Sequence, residues 1–164
     1  MKDTVSRYLA NITNSITRSA VDPVIKAVAD RLSTQIFNTG GLAIKVGGST
    51  LAKTVNTVKY VAGGVYGSLA AADMPALTGL NIGAGKYNVA VFYVDAAGTT
   101  SVKFGTEGAT AALVKFPDTP EAKAIIGFLL ITYASAFTGG TTPLDTATTV
   151  YTDTPCAFDP SILI

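Results

Sequence analysis

The sequence contains no histidine and only one cysteine. Without histidine, neither a Ser/His/Asp nor a Cys/His nucleophile system can be assembled and the usual zinc sites are excluded. General acid–base catalysis also loses the side chain that most often serves it. Cys156 has no second thiol to pair with, so an intrachain disulfide is impossible and secretion gains no support from cysteine content. Beside Pro155 it reads as a small apolar residue. Charge is scarce too: Asp, Glu, Lys and Arg make up 14% of the chain, against about 25% in an ordinary soluble domain. The net charge of +1 offers nucleic acid no electrostatic footprint. Long apolar runs are missing as well. The longest uncharged stretch, Ala124 to Leu144, is interrupted by Thr132, Ser135, Gly139-Gly140 and Pro143, so nothing approaches the roughly 20 apolar residues a spanning helix needs, and no membrane partner is expected.

What is present is an apolar excess, 48% of 164 residues, in a chain long enough for one sizeable core but not comfortably for two. That excess implies a sheet-rich fold with weakly charged faces, an apolar surface permanently covered by a partner, or both. Charge is unevenly placed. Residues 1 to 40 and 41 to 123 each sum to +2, whereas 124 to 164 carry three Asp and no base.

In "MKDTVSRYLANITNSITRSA" (1 to 20), Val5, Leu9, Ile12 and Ile16 are spaced four, three and four apart, which sets them on one face of a helix. Arg7, Arg18 and the many hydroxyls give this stretch the look of an organelle transit peptide. Asp3 and Asp22 argue against that, and no signal-peptide core is present, so it is expected to be structure. Asp22 can cap a second helix whose first position is Pro23. Ile25, Val28, Leu32 and Ile36 then repeat the stripe at spacings of three, four and four. Each stripe is worth roughly 6 to 12 kcal/mol if fully buried, before ordering entropy is subtracted. Both stripes therefore need a surface, supplied by their own domain, by sister copies or by a neighbouring protein. These eight side chains are the candidate interface.

After Asn38-Thr39-Gly40-Gly41 the apolar period becomes that of strands, dividing the chain into an N-terminal amphipathic helical arm (1–40) and a β body (41–164). Strands are predicted over 42–46, 54–61, 86–95, 99–105, 109–116, 124–133 and 146–152, with a short strand and one helical turn in 65–77. In "KYNVAVFYVD" (86 to 95) both alternating sets are mostly apolar, which predicts a central strand covered on both faces. "AIIGFLLI" (124 to 131) reads the same way, with Gly127 marking a bulge or a close backbone approach. "DAAG" (95 to 98) predicts a turn with Gly98 at positive φ. Eight or so short strands without βα alternation indicate a mainly β fold, an antiparallel β-sandwich, jelly roll or open barrel.

Chemical motifs are weak. "GLNIGAGKY" (79 to 87) superficially resembles a phosphate loop, but its first glycine is one position early for Lys86, Tyr87 stands where Ser or Thr is required, and a strand follows. It reads as a hairpin loop. Asp118 with Glu121, and Asp145 with Asp153, are the nearest carboxylate pairs for acid catalysis or calcium, although turn and capping acids far outnumber such sites. "NIT" (11 to 13) matches a glycosylation sequon without an export signal. No catalytic centre, cofactor or metal is expected.

The run "GTEGATAALVKFPDTPEAKAIIGFLLI" (105 to 131), with "KYNVAVFYVDAAGT" before it and "FTGGTTPLD" and "FDP" after it, resembles auxiliary virion proteins of tailed bacteriophages, in particular those of the capsid decoration, or cement, type. The likeness covers about residues 41 to 160. It implies a β-sandwich or jelly-roll protein made in the host cytoplasm and carried on the virion in many symmetric copies, where it binds the outside of the head and clamps neighbouring major capsid proteins. Partners implied are the major capsid protein and sister copies, with the two stripes supplying oligomer or capsid contacts. The alternative is a head-fibre or tail-associated adhesion module whose helices form a stalk.

Overall fold

A computed structural model describes residues 33–155. The candidate positions Val5, Leu9, Ile12, Ile16, Ile25, Val28 and Leu32, and the helical arm they belong to, lie outside the described residues. Among the described residues eleven strands run in chain order: β1 (Gln35–Ile36), β2 (Leu42–Ile44), β3 (Ala52–Thr54), β4 (Val58–Ala62), β5 (Val65–Leu69), β6 (Asn81–Ile82), β7 (Tyr87–Val94), β8 (Thr100–Phe104), β9 (Ala124–Thr132), β10 (Phe137–Thr138) and β11 (Thr148–Asp153). Every strand pairing is antiparallel. The strands form a four-stranded sheet in the order β11-β9-β7-β8, a three-stranded sheet β1-β4-β5, and two-stranded sheets β2-β3 and β10-β6. The fold is mainly β, and no sheet among the described residues closes into a barrel.

The four-stranded sheet is the centre. Along β7, Ala90, Phe92 and Val94 face the larger core, where they meet Val58 and Tyr60 of β4, Leu42 of β2, and Met74, Leu77, Leu80, Phe137 and Leu144 from the connections and short strands. The alternate residues Val89, Val91 and Tyr93 face a smaller cluster on the other side, with Phe128 of β9 and Val114. Residues Asn88 to Val94 are all buried, as expected of a strand with two apolar sets.

β9 needs a local irregularity to match. Phe92 pairs with Gly127 but Tyr93 pairs with Ile125, which leaves Ile126 as an extra residue. Unbroken alternation from Leu129 would turn Ile125 toward the larger core. The bulge resets the parity, so Ile126 enters the larger core and Ile125 packs on the smaller one. A Cβ on Gly127 would run into the carbonyl oxygen of Thr152 and the side chain of Leu42. Both readings of Gly127 therefore hold. Gly98 turns the β7–β8 hairpin at φ 82°, and Asp95 accepts hydrogen bonds from the N–H groups of Ala97 and Thr99 at 3.0 and 2.9 Å.

Five expectations change. Ile36 is not on a helix: it pairs with Tyr60 in β1 and is 2% exposed, because its apolar side chain completes the larger core. β1 lies on the arm side of the boundary expected at residue 40, so the body reaches back to Gln35 at least. The strand expected over 54–61 breaks, since Val55 N–H and Asn56 N–H donate to Gly40 O instead of continuing a ladder. No helical turn follows β5; an isolated bridge joins Asp73 to Lys53, and Met74 N–H donates to Ala52 O. Residues 109–116 form no strand. They carry one 3-10 turn, Ala111–Leu113, between the bridging residues Thr106 and Lys115, and lie over the second face of the central sheet. There Val114 is buried and Phe116 meets Phe128 edge to face, with ring centroids 5.1 Å apart. Their apolar residues satisfy a sheet face rather than a sheet edge.

Candidate functional site

Of the carboxylates singled out by sequence, Asp145 and Asp153 are occupied with holding the fold. Asp145 accepts a hydrogen bond from Gly48 N–H at 2.7 Å and Asp153 accepts one from Leu42 N–H at 3.2 Å, so this pair fixes the start and the tip of the β2–β3 hairpin. Asp118 lies close enough to Tyr93 to act on its phenol, and its backbone carbonyl accepts from Lys103 Nζ. Glu121 is exposed in the Pro117–Lys123 turn. No group of three or more Asp, Glu, Cys or His able to hold a metal occurs among the described residues.

The glycine loop at 79–87 has a specific fate. Gly83 N–H donates to the carboxylate of Glu107, which also receives Lys86 Nζ at 2.7 Å. These two donors hold the Glu107 carboxyl below its ordinary range, the Gly83 bond contributing most. The loop does receive an anion, but one supplied by its own chain. Ionised tyrosine is absent near neutral pH at three positions. Burial, and then the nearby Asp118, pushes Tyr93 up to about 12, while burial raises Tyr60 and Tyr151, reinforced by Asp95 and Asp145 respectively.

The body also exposes large apolar side chains. On the three-stranded sheet, Ile36, Tyr60, Val58 and Ala62 face the core, and the pairings Gln35↔Val61 and Val61↔Tyr66 put those three on the outer face. Phe37 continues this face beyond β1, its N–H bonded to Lys59 O. Phe37 is 53% and Tyr66 62% exposed, yet their rings already touch, with centroids 6.4 Å apart. Val65, at the start of β5, is also exposed. A second open region lies on the far face of the central sheet, where the pairing Val150↔Leu130 runs beyond the cover given by Val114 and Phe116. Val150 is 52% exposed, and Leu113 stands out at 62%.

Of the eight interface candidates, Ile36 is removed by its burial, and the other seven lie outside the described residues. Sequence reading missed Phe37, Val61 and Tyr66. The only signal for them was the Tyr at the second position of "VYGSL", which alternation turns away from Val65 and Leu69. No helix among the described residues is long and apolar enough to cross a membrane. No protein-family model, curated protein or solved structure matches the chain.

Proposed function

We propose that the protein is a structural virion component of a tailed bacteriophage, a non-enzymatic decoration protein that binds the outside of the capsid and reinforces contacts between major capsid proteins. The observation that supports this reading best is the pairing of open, nearly uncharged apolar faces with a body in which Asp73, Glu107, Asp145 and Asp153 are spent on its own backbone and lysines. Such a body has surface to bury and little chemistry to perform. We read its stacked sheets as a β-sandwich of the jelly-roll kind, a rigid block on the capsid. The stripe Val5, Leu9, Ile12 and Ile16 supplies contacts to the major capsid protein or to sister copies, and Ile25, Val28 and Leu32 form the root of that arm. A shell under internal pressure fails where capsomers separate, and a protein bound across the joint adds interface that must be broken first. Copy number and symmetry multiply that contribution.

The test is to mix purified protein with matching phage heads that lack it and count bound copies by sedimentation and quantitative gel. Decoration gives copies on the order of hundreds per head, following the lattice. About a dozen or fewer would replace this reading with the vertex-fibre or tail-adhesion alternative. In the same assay Leu9→Lys with Ile12→Lys, in the full chain, should abolish occupancy.

A further inference from the structure

Among the described residues, no further layer lies over Phe37, Val61 and Tyr66 on the outer face of the β1-β4-β5 sheet. Sheets with one apolar face on the core normally carry polar residues on the other, but here Phe37, Val61 and Tyr66 are grouped on that face beside Gln35 and Ser68, and Lys59 is the only charge in those rows. We propose that residues 22–32 of the same chain lie across this face, with Ile25, Val28 and Leu32 against Phe37, Val61 and Tyr66.

Where that segment joins the body carries the argument. Ser33 O accepts from Gly64 N–H at 2.9 Å and Thr34 Oγ1 accepts from Gly63 N–H at 3.3 Å. These bonds pin the incoming chain to the β4–β5 turn, at the end of the sheet where Val61 and Tyr66 sit. Residue 32 is therefore delivered to the rim of the open face, and 32 residues of chain precede Ser33. The dimensions fit. The spacing of Ile25, Val28 and Leu32 is helical, a helix over 22–32 is about 16 Å long, and a five-residue strand is also about 16–17 Å. Three strands span about 10 Å between their outer axes, which is the diameter of one helix with its side chains. From Ile25 to Leu32 the stripe extends about 10 Å, against about 7 Å between the row of Tyr66 and the row of Phe37. The result is a helix laid on a sheet, one of the few stable layer arrangements. It leaves Val5, Leu9, Ile12 and Ile16 as the stripe that faces outward, and it stands whether or not the protein binds a capsid.

Limited trypsin digestion of the full chain, read at Lys26 and Arg31, tests this docking. In the wild type these bonds should be cut slowly. Phe37→Ser with Tyr66→Ser should speed cleavage by about tenfold or more, whereas Val150→Ser, at the other exposed patch, should leave the rate unchanged. The reciprocal variant, Ile25→Ser with Val28→Ser, leaves the body untouched and should raise the reaction of Tyr66 with tetranitromethane. Equal cleavage rates in all proteins, or Tyr66 equally reactive with and without the arm substitutions, would overturn the proposal. So would protection that grows with protein concentration alongside a dimer in sedimentation velocity, since a second copy would then be the cover.

Discussion

The β7–β9 pair and the β4–β5 pair are both antiparallel, yet one is closed on two sides and the other on one. In β7 every residue from Asn88 to Val94 is buried, because both alternating sets are apolar and each finds its own cluster. In β4, Val58, Tyr60 and Ala62 are buried while Lys59 is exposed, and in β5 Val65, Tyr66 and Ser68 are all exposed. A strand closed on both sides contributes stability and has no face left to offer. A one-sided sheet holds the fold with one face and leaves the other for a further layer, the place where the chain's own arm is proposed to dock, while Val150 and Leu113 stay exposed at the rim of the central sheet.

The largest expected effect comes from opening the second cluster. Phe128→Ala should cost about 3–5 kcal/mol in chemical denaturation; a loss below about 1 kcal/mol would mean that residues 106–118 do not cover that face well. Alkaline titration sharpens the same point. The folded protein holds the Tyr93 proton up to about 12 whereas the unfolded chain releases it near 10.0. That contribution is fully present below pH 10 and is lost as pH rises from about 10 to 12, amounting to about 2–3 kcal/mol. Urea midpoints measured across that window should fall, and Tyr93→Phe should flatten the drop.

Gly127→Ala tests the bulge. Its Cβ meets Thr152 O and Leu42, and a cost of about 1–3 kcal/mol is expected, with faster hydrogen exchange along β11. Acid unfolding isolates the Glu107 clamp. Its lowered carboxyl contributes stability that is present above the unfolded value of about 4.5 and is lost as pH falls through the lower folded value. Glu107→Gln should remove that acid limb. The smallest change is expected on the one-sided sheet, where Ser68→Thr should shift stability by no more than about 0.5 kcal/mol. A larger loss would show that the arm's cover reaches Ser68 as well.

The long strands were legible because their patterns are redundant. "KYNVAVFYVD" and "AIIGFLLI" carry apolar residues at nearly every position, and β7 and β9 pair where that predicts. Short elements were not legible. Ile36 continues a helical stripe at the correct spacing, but the partner that decides its conformation, Tyr60, is remote in sequence. In "ATAALVKF" the apolar residues recur, yet no ladder forms there, and Val114 and Phe116 went to a sheet face instead. The phosphate-like loop was expected to close a hairpin, but it joins β6, which pairs with β10, to β7, which pairs with β8 and β9, and its occupant, Glu107, follows it after a complete hairpin.

By itself, the sequence determined what chemistry the protein lacks and which strands lie at its centre: the absence of histidine removes whole reaction classes, and two apolar sets on one strand require cover on both sides. Only the tertiary structure decided which apolar residues stay outside. Phe37 and Tyr66 meet on an open face because β1 pairs with β4 and β4 with β5. Long-range pairing of that kind depends on register and on the layer beneath, which local periodicity does not encode.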